Sequence, residues 1–241
     1  MDHVPFAFID SVVHLFICRY TMNPLLELKS QLWSQIGKTH DEKRANCRLS
    51  VESDEEGLTY RFGLSSSPQG GPNIKELLNS DCRYARLDRV SLNLDVSPAT
   101  ELDLEKSKID LLRSLLSRVP VRKLIIHKCG LNEATDFLWK VPARTLNGNV
   151  VDLPQKILEF QLFQNANLQN IFFWSVDLDV INYILESWQK GEMGDGDAEE
   201  KKFRNLGDLG FEESPKSGKV RRVHGGRKGK EREILFRAYD F

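Results

Sequence analysis

One apolar spacing recurs through the middle of this 241-residue chain and limits what it can fold into. Leu87-x-x-Val90-x-Leu92, Val121-x-x-Leu124-x-Ile126-x-x-Cys129-x-Leu131 and Leu168-x-x-Ile171-x-Phe173-x-x-Val176-x-Leu178 share it. A fainter copy runs Ala143-x-x-Leu146-x-Gly148-x-x-Val151-x-Leu153. Alternate apolar residues lie on one face of a strand, because successive side chains of extended backbone point to opposite sides. The copies start 34, 22 and 25 residues apart, which leaves room for a helix after each strand. Such a unit cannot bury its apolar face alone, so neighbouring units must stack to make a core.

The spacing fits the opening of a leucine-rich repeat, whose ordinary period is roughly 20–29 residues. Cys129 stands where that repeat accepts Asn or Cys, and Leu131 closes the unit. The expected fold is α/β: a short leucine-rich-repeat-like solenoid of strand-helix units, with N-terminal helices and flanking β-hairpins. The strongest helical pattern lies between the first two copies, through Leu104, Ile109, Leu112, Leu115, Leu116 and Val119, and Pro120 stops it. Further helices are predicted over 133–140, 154–163 and 180–189.

The flanks read differently. Phe8, Ile9, Val12, Val13 and Phe16 recur at three- and four-residue steps, which makes one helical face with Pro5 in its first turn. Pro24 opens a second pattern through Leu25, Leu28, Leu32, Trp33 and Ile36, ending near Gly37. The polar stretch 38–45 reads as a linker. Cys47-x-Leu49-x-Val51 and Leu58-x-Tyr60-x-Phe62 alternate on either side of an acidic turn, as a β-hairpin does, and 65–72 is a loop. Near the C-terminus, the acidic, Gly-rich 192–197 reads as a connection. The basic stretch 216–232, with Val220 and Val223 before Gly225-Gly226 and an apolar run from Ile234, reads as a hairpin that covers the solenoid's open end. Four regions result: helical 1–37, linker and hairpin 38–80, repeat units 81–191, and acidic connection with basic hairpin 192–241.

Composition argues against most catalytic classes. The net charge of −1 carries no global excess that would point to nucleic acid. Cys18, Cys47, Cys82 and Cys129 are spread without a C-x-x-C pair or a nearby His, so neither a zinc site nor a disulfide framework is suggested. Gly191-x-x-Gly194-x-Gly196 follows a helix and sits among carboxylates that would repel a pyrophosphate. Gly225-Gly226-Arg227-Lys228-Gly229-Lys230 lacks the spacer and the hydroxyl of a phosphate loop. The five histidines have no sequence partner that marks a nucleophile or a metal. No enzymatic activity and no cofactor are expected. Asp2 and Asp10 replace the basic leader of a signal peptide, and no apolar run would span a bilayer, so a cytoplasmic or nuclear location is expected.

The strand positions opposite the core are the candidate binding surface. With Val90, Leu92, Leu124, Ile126, Ile171 and Phe173 inward, Ser91, Asn93, Ile125, His127, Phe172 and Trp174 face the other way. Ile125, His127, Phe172 and Trp174 are the candidate partner-binding residues, since large aromatics anchor interfaces. The other reading is that a terminal segment folds over Phe172 and Trp174 and makes them core. The basic hairpin admits an alternative function, a stand-alone scaffold or nucleic-acid-associated protein held by phosphate contacts. No aromatic interleaves its cations to stack on bases, so a solvated turn is the favoured account and nucleic acid is not an expected partner.

The opening residues, Met1-Asp2-His3-Val4-Pro5-Phe6-Ala7-Phe8-Ile9-Asp10-Ser11-Val12, with Leu25, Leu28 and Trp33 behind them, resemble the degenerate F-box that begins proteins of large nematode-expanded F-box-like families. In those families a hairpin, leucine-rich-repeat-like units and a final hairpin follow, an order similar over almost this whole chain. The resemblance implies a substrate receptor of a Skp-cullin-F-box ubiquitin ligase, with a Skp-type adaptor, a cullin and a protein substrate as partners. Pro5, Phe8, Val12 and Trp33 would then face the adaptor. On their residue types alone, the same four could equally pack the N-terminal helices against the first repeat.

Overall fold

In the computed structural model, residues 5–15, 27, 30–54, 57–65, 73–94, 106–148, 153–173, 212–214, 218–225 and 232–238 are described. Among the described residues two helices come first, α1 (Phe6–Leu15) and α2 (Gln31–Lys43). A β-hairpin follows, β1 (Ala45–Asp54) and β2 (Gly57–Leu64). Strands and helices then alternate through α3 (Ile74–Asn79), β3 (Ala85–Leu94), α4 (Lys106–Arg118), β4 (Lys123–Cys129), α5 (Asp136–Trp139), β5 (Thr145–Gly148), α6 (Gln155–Glu159) and β6 (Asn170–Phe173). Three further strands, β7 (Glu212–Ser214), β8 (Gly218–Gly225) and β9 (Arg232–Ala238), complete one nine-stranded sheet in the order β2-β1-β3-β4-β5-β6-β9-β8-β7. The chain is α/β. Strands β1, β3, β4, β5, β6 and β9 run parallel, and the hairpin partners β2 and β8 run antiparallel to their neighbours.

Residues that share a place in the sequence spacing are partners in the sheet. Val90 pairs with Leu124, Leu124 with Leu146 and Leu146 with Ile171, while Leu92 pairs with Ile126 and Ile126 with Gly148. Val121 bridges Leu87. The paired x-x positions are accommodated by bulges, an extra outward residue that lets the next apolar side chain return to the core. Asp88 is extra against β1, and His127 is extra against β3, which restores Cys129 to the buried side. β1 joins the same frame, since Cys47, Leu49 and Val51 pair with Leu87, Val90 and Leu92.

The inward residues of these strands form one cluster with Ile74 and Leu77 of α3, Ile109, Leu112 and Leu115 of α4, Trp139 of α5, and Ile157 and Leu158 of α6. The helices therefore cover one face of the sheet. Where the fainter copy has Gly148 in place of a large apolar residue, Leu153 fills the gap, its methyls 3.6 and 3.7 Å from where a Cβ would stand. A π-helical turn, Phe160–Gln164, follows α6 and is held by a buried polar network. Gln161 Nε2 donates to the carbonyls of Trp139 and Val141, at 2.7 and 3.2 Å. Asn165 Nδ2 donates to the Ala143 carbonyl and to Gln161 Oε1, both at 2.7 Å. These amides satisfy the carbonyls of a connection without regular structure, which buried unpaired would each cost about 1–3 kcal/mol.

The structure departs from the sequence reading in three places. The stretch 38–45 is not a linker: α2 runs on to Lys43 and β1 begins at Ala45, because Ile36, Gly37 and His40 make a buried face that continues past Gly37. This helix also starts later than the pattern from Pro24 predicts, at Gln31, because Ser30 before it is in extended backbone; Leu25 and Leu28 lie outside the described residues. Leu131, read as closing its repeat, is 37% exposed, since the strand ends at Cys129 and Gly130 makes the last backbone bond, to the Leu94 carbonyl. The expected helix over 180–189, the acidic 192–197 and Val151, Val176 and Leu178 also lie outside the described residues.

Candidate functional site

The sheet face opposite the helices carries three rows of side chains. One row runs through Arg61, Ser50, Ser91, Ile125, Asn147 and Phe172, each the register partner of the next. A second contains Arg48 and Arg89, themselves partners, then Lys123, Thr145 and Asn170. Lys123 stands one residue before Leu124 and Arg89 one before its partner Val90. Asp88, Arg122 and Arg144 begin a third row beneath these, tied by the bond from the Arg144 N–H to the Arg122 carbonyl.

Lys123 is the centre of this face. With the Asn147 amide turned so that both its ends are satisfied, Asn147 Oδ1 accepts from Lys123 Nζ at 3.1 Å and its NH2 donates to the Leu146 carbonyl at 3.2 Å. The ammonium also lies 5.8 Å from the centre of the Phe172 ring, a cation-π distance. Partial burial holds the Lys123 pKa below its ordinary value, and the nearby Arg89 and Arg122 add to this, against an opposing pull from Asp88. Arg122 spends part of its charge on Asp88, 3.2 Å away. The Arg86 guanidinium is likewise lowered, first by burial and then by Arg44 and Arg144.

The partner-binding candidates fall on this face in different states. Ile125 lies on the outward side by register, yet it is 6% exposed and is not part of the helix-covered cluster. It is not an accessible anchor, although its strand position is outward. His127 is exposed, placed there by the bulge that makes it and Lys128 both face outward. Phe172 is half-buried. Trp174 lies outside the described residues.

The adaptor-facing candidates gather on the N-terminal helix pair. Ile9, Val13 and Ile36 pack as a small separate core, with Leu32 and Trp33 against it. Pro5 is exposed, and its carbonyl receives the N–H groups of Phe8 and Ile9 to start α1. Phe8 points away from the small core and is 56% exposed, as is its neighbour Phe6 at 57%. Val12 and Trp33 are half-buried. Of the four, Phe8 does not pack the helices onto the sheet, because it is 56% exposed.

His40 joins this pair to the sheet. Its Nε2 donates to Asp10 Oδ1 of α1 at 2.8 Å, its ring meets Tyr84 edge-on at 5.0 Å, and Arg44 donates to the Val13 carbonyl. Burial holds the His40 pKa below its ordinary 6.5, and Arg44 and Arg86 push the same way while Asp10 opposes them. The unfolded chain therefore takes up this proton more readily than the folded one. Stability from His40 is complete above pH 6.5 and declines as pH falls through the lower folded value. Denaturant midpoints measured across that range should fall on acidification, and the same series on His40→Gln should be flatter. Equal slopes would show that another group sets the acid sensitivity.

Burial pushes the Cys47 thiol up to about 11 and Cys129 up to about 12, the latter helped by Asp136, so neither is a thiolate at neutral pH. Cys129 Sγ instead donates to the Gly130 carbonyl at 3.7 Å. Among the described residues no cluster of His, Cys, Asp or Glu could hold a metal ion, and no helix is long and apolar enough to cross a membrane. Sequence reading passed over His40 and the outward cations. A signal for the cations was present: Arg48-Leu49, Arg89-Val90 and Lys123-Leu124 each place a cation immediately before the middle apolar residue of the unit. Compared with family models, curated proteins and solved structures, the chain matches none.

Proposed function

We propose that this chain is a protein-interaction module: a leucine-rich-repeat-like array whose outward sheet face selects a protein partner and whose F-box-like start docks a Skp-type adaptor. It would serve as the substrate receptor of a cullin-RING ubiquitin ligase. The observation that carries the binding reading is the division of labour across the sheet. One face is closed by helices in a single core, while the other carries the exposed His127 and Lys128, the half-buried Phe172 and a row of cations. Ordered strands holding side chains at fixed spacing suit recognition of a partner.

The exposed Phe6 and Phe8 support the adaptor reading. Two large aromatic side chains more than half accessible on one short helix are a candidate anchor for an apolar partner. Affinity purification from cells should recover the Skp-type adaptor and a cullin with the native chain. The double variant Phe6→Ala/Phe8→Ala should lose both while melting normally. Recovery of neither by the native chain would remove the ligase from the proposal and leave the binding module.

A further inference from the structure

The chain is nearly neutral, with a net charge of −1, yet cations collect on the outward face of its first parallel strands. Arg48 and Arg89 are exposed and directly opposite each other, and Lys123 continues their row. Lys123 is repelled by Arg89 and Arg122, and Arg86 by Arg44 and Arg144. The carboxylates among them are already engaged, Asp88 with Arg122 and Glu52 with Arg61 at 3.6 Å. Like charges placed opposite one another in a sheet work against folding. An anionic ligand turns that repulsion into attraction.

The row has the dimensions of a peptide. Strands lie about 4.8 Å apart, so the backbones bearing Arg48 and Lys123 are roughly 10 Å apart, about the length of three extended residues. The Phe172 ring, half-buried beneath the Lys123 ammonium, adds an apolar margin to this charged strip. A nucleic acid is the poorer fit. Bases need open aromatic faces to stack on, and Phe172 is the one aromatic among the described residues of these rows, with a cation over its ring.

We infer that Arg48, Arg89 and Lys123 form a docking strip for an extended acidic segment of a protein partner. The inference rests on the binding-module reading and names the class of partner. The geometry asks for carboxylates two or three residues apart, which the long Arg and Lys side chains can reach from neighbouring strands.

Fluorescence anisotropy of a labelled peptide of alternating Glu and Leu, added to the full chain, tests it. Binding should weaken with added salt, since the contacts are charged and largely exposed. The variant Arg48→Ser/Arg89→Ser should weaken it roughly tenfold, the effect of losing two partly screened ion pairs. Lys75→Ser/Lys106→Ser, exposed cations on α3 and α4, should leave it unchanged. Equal affinity of native chain and Arg48/Arg89 variant would overturn the assignment, as would tighter binding of an oligothymidylate of the same length. Binding that emerges only after Glu192, Asp195, Asp197, Glu199 and Glu200 are replaced by Ser would assign the strip to the chain's own acidic segment, and so overturn it too. Adaptor capture, scored on the same preparations, separates the two failures: its loss bears on the N-terminal helices, whereas loss of peptide binding bears on the strip alone.

Discussion

Leu124→Asp is expected to abolish the folded state. Leu124 has no exposed surface and sits at the centre of the sheet, paired with Val90 on one side and Leu146 on the other. Removing its side chain alone would cost about 2–5 kcal/mol by analogy with large-to-small substitutions in cores. The carboxylate adds more. Its neighbours on that side are apolar residues of strands and helices, so the charge has no partner and must either be buried unpaired or force the strand out. Together these effects rival the whole stability of an ordinary domain, about 5–15 kcal/mol. Circular dichroism should show no cooperative melt. A soluble variant with a sharp transition would mean that Leu124 does not face the core and that the strand register differs.

Trp139→Ala should leave a folded but much weaker protein. The indole is fully buried, meets Phe160 edge-on at 5.7 Å, and is flanked by the ammonium groups of Lys140 and Lys156 at 5.0 and 5.9 Å. Both lysines are in turn drawn to Asp136, at 2.9 and 3.5 Å, so the ring, the cations and the carboxylate hold one another in place. Large aromatic truncations in cores cost about 3–5 kcal/mol. For a chain of this size that is a fall in melting temperature of roughly 10 °C. The same variant should keep the acidic-peptide affinity of the native chain at low temperature, because Trp139 belongs to the helix-covered side. A loss below about 1 kcal/mol would show that α5 is dispensable to the core.

Much of the central sheet is already written in local spacing. Leu87, Val90 and Leu92, and their counterparts in the next units, are apolar at intervals that only an inward-facing strand satisfies, and the observed pairing joins them position by position. The two hairpins are visible for the same reason, since alternation and turn residues are local properties. The continuation of α2 beyond Gly37 was not visible, because His40 is polar and becomes a core residue only when Asp10 and Tyr84 meet it from elsewhere in the chain.

The candidate site divides along the same line. Period two alone puts Ile125 and Phe172 on the outward face, and the register agrees. Whether such a residue is accessible depends on what crosses it, and Ile125 is buried although its strand position is outward. The cations show the point most clearly. Arg48, Arg89 and Lys123 are far apart in the chain and carry no motif as a set; hydrogen bonding of β1, β3 and β4 brings them into one row. Side-chain periodicity, a property of each strand by itself, was thus determined by sequence alone. Charge accumulation and burial depend on which strands become neighbours, and only the tertiary structure decided those.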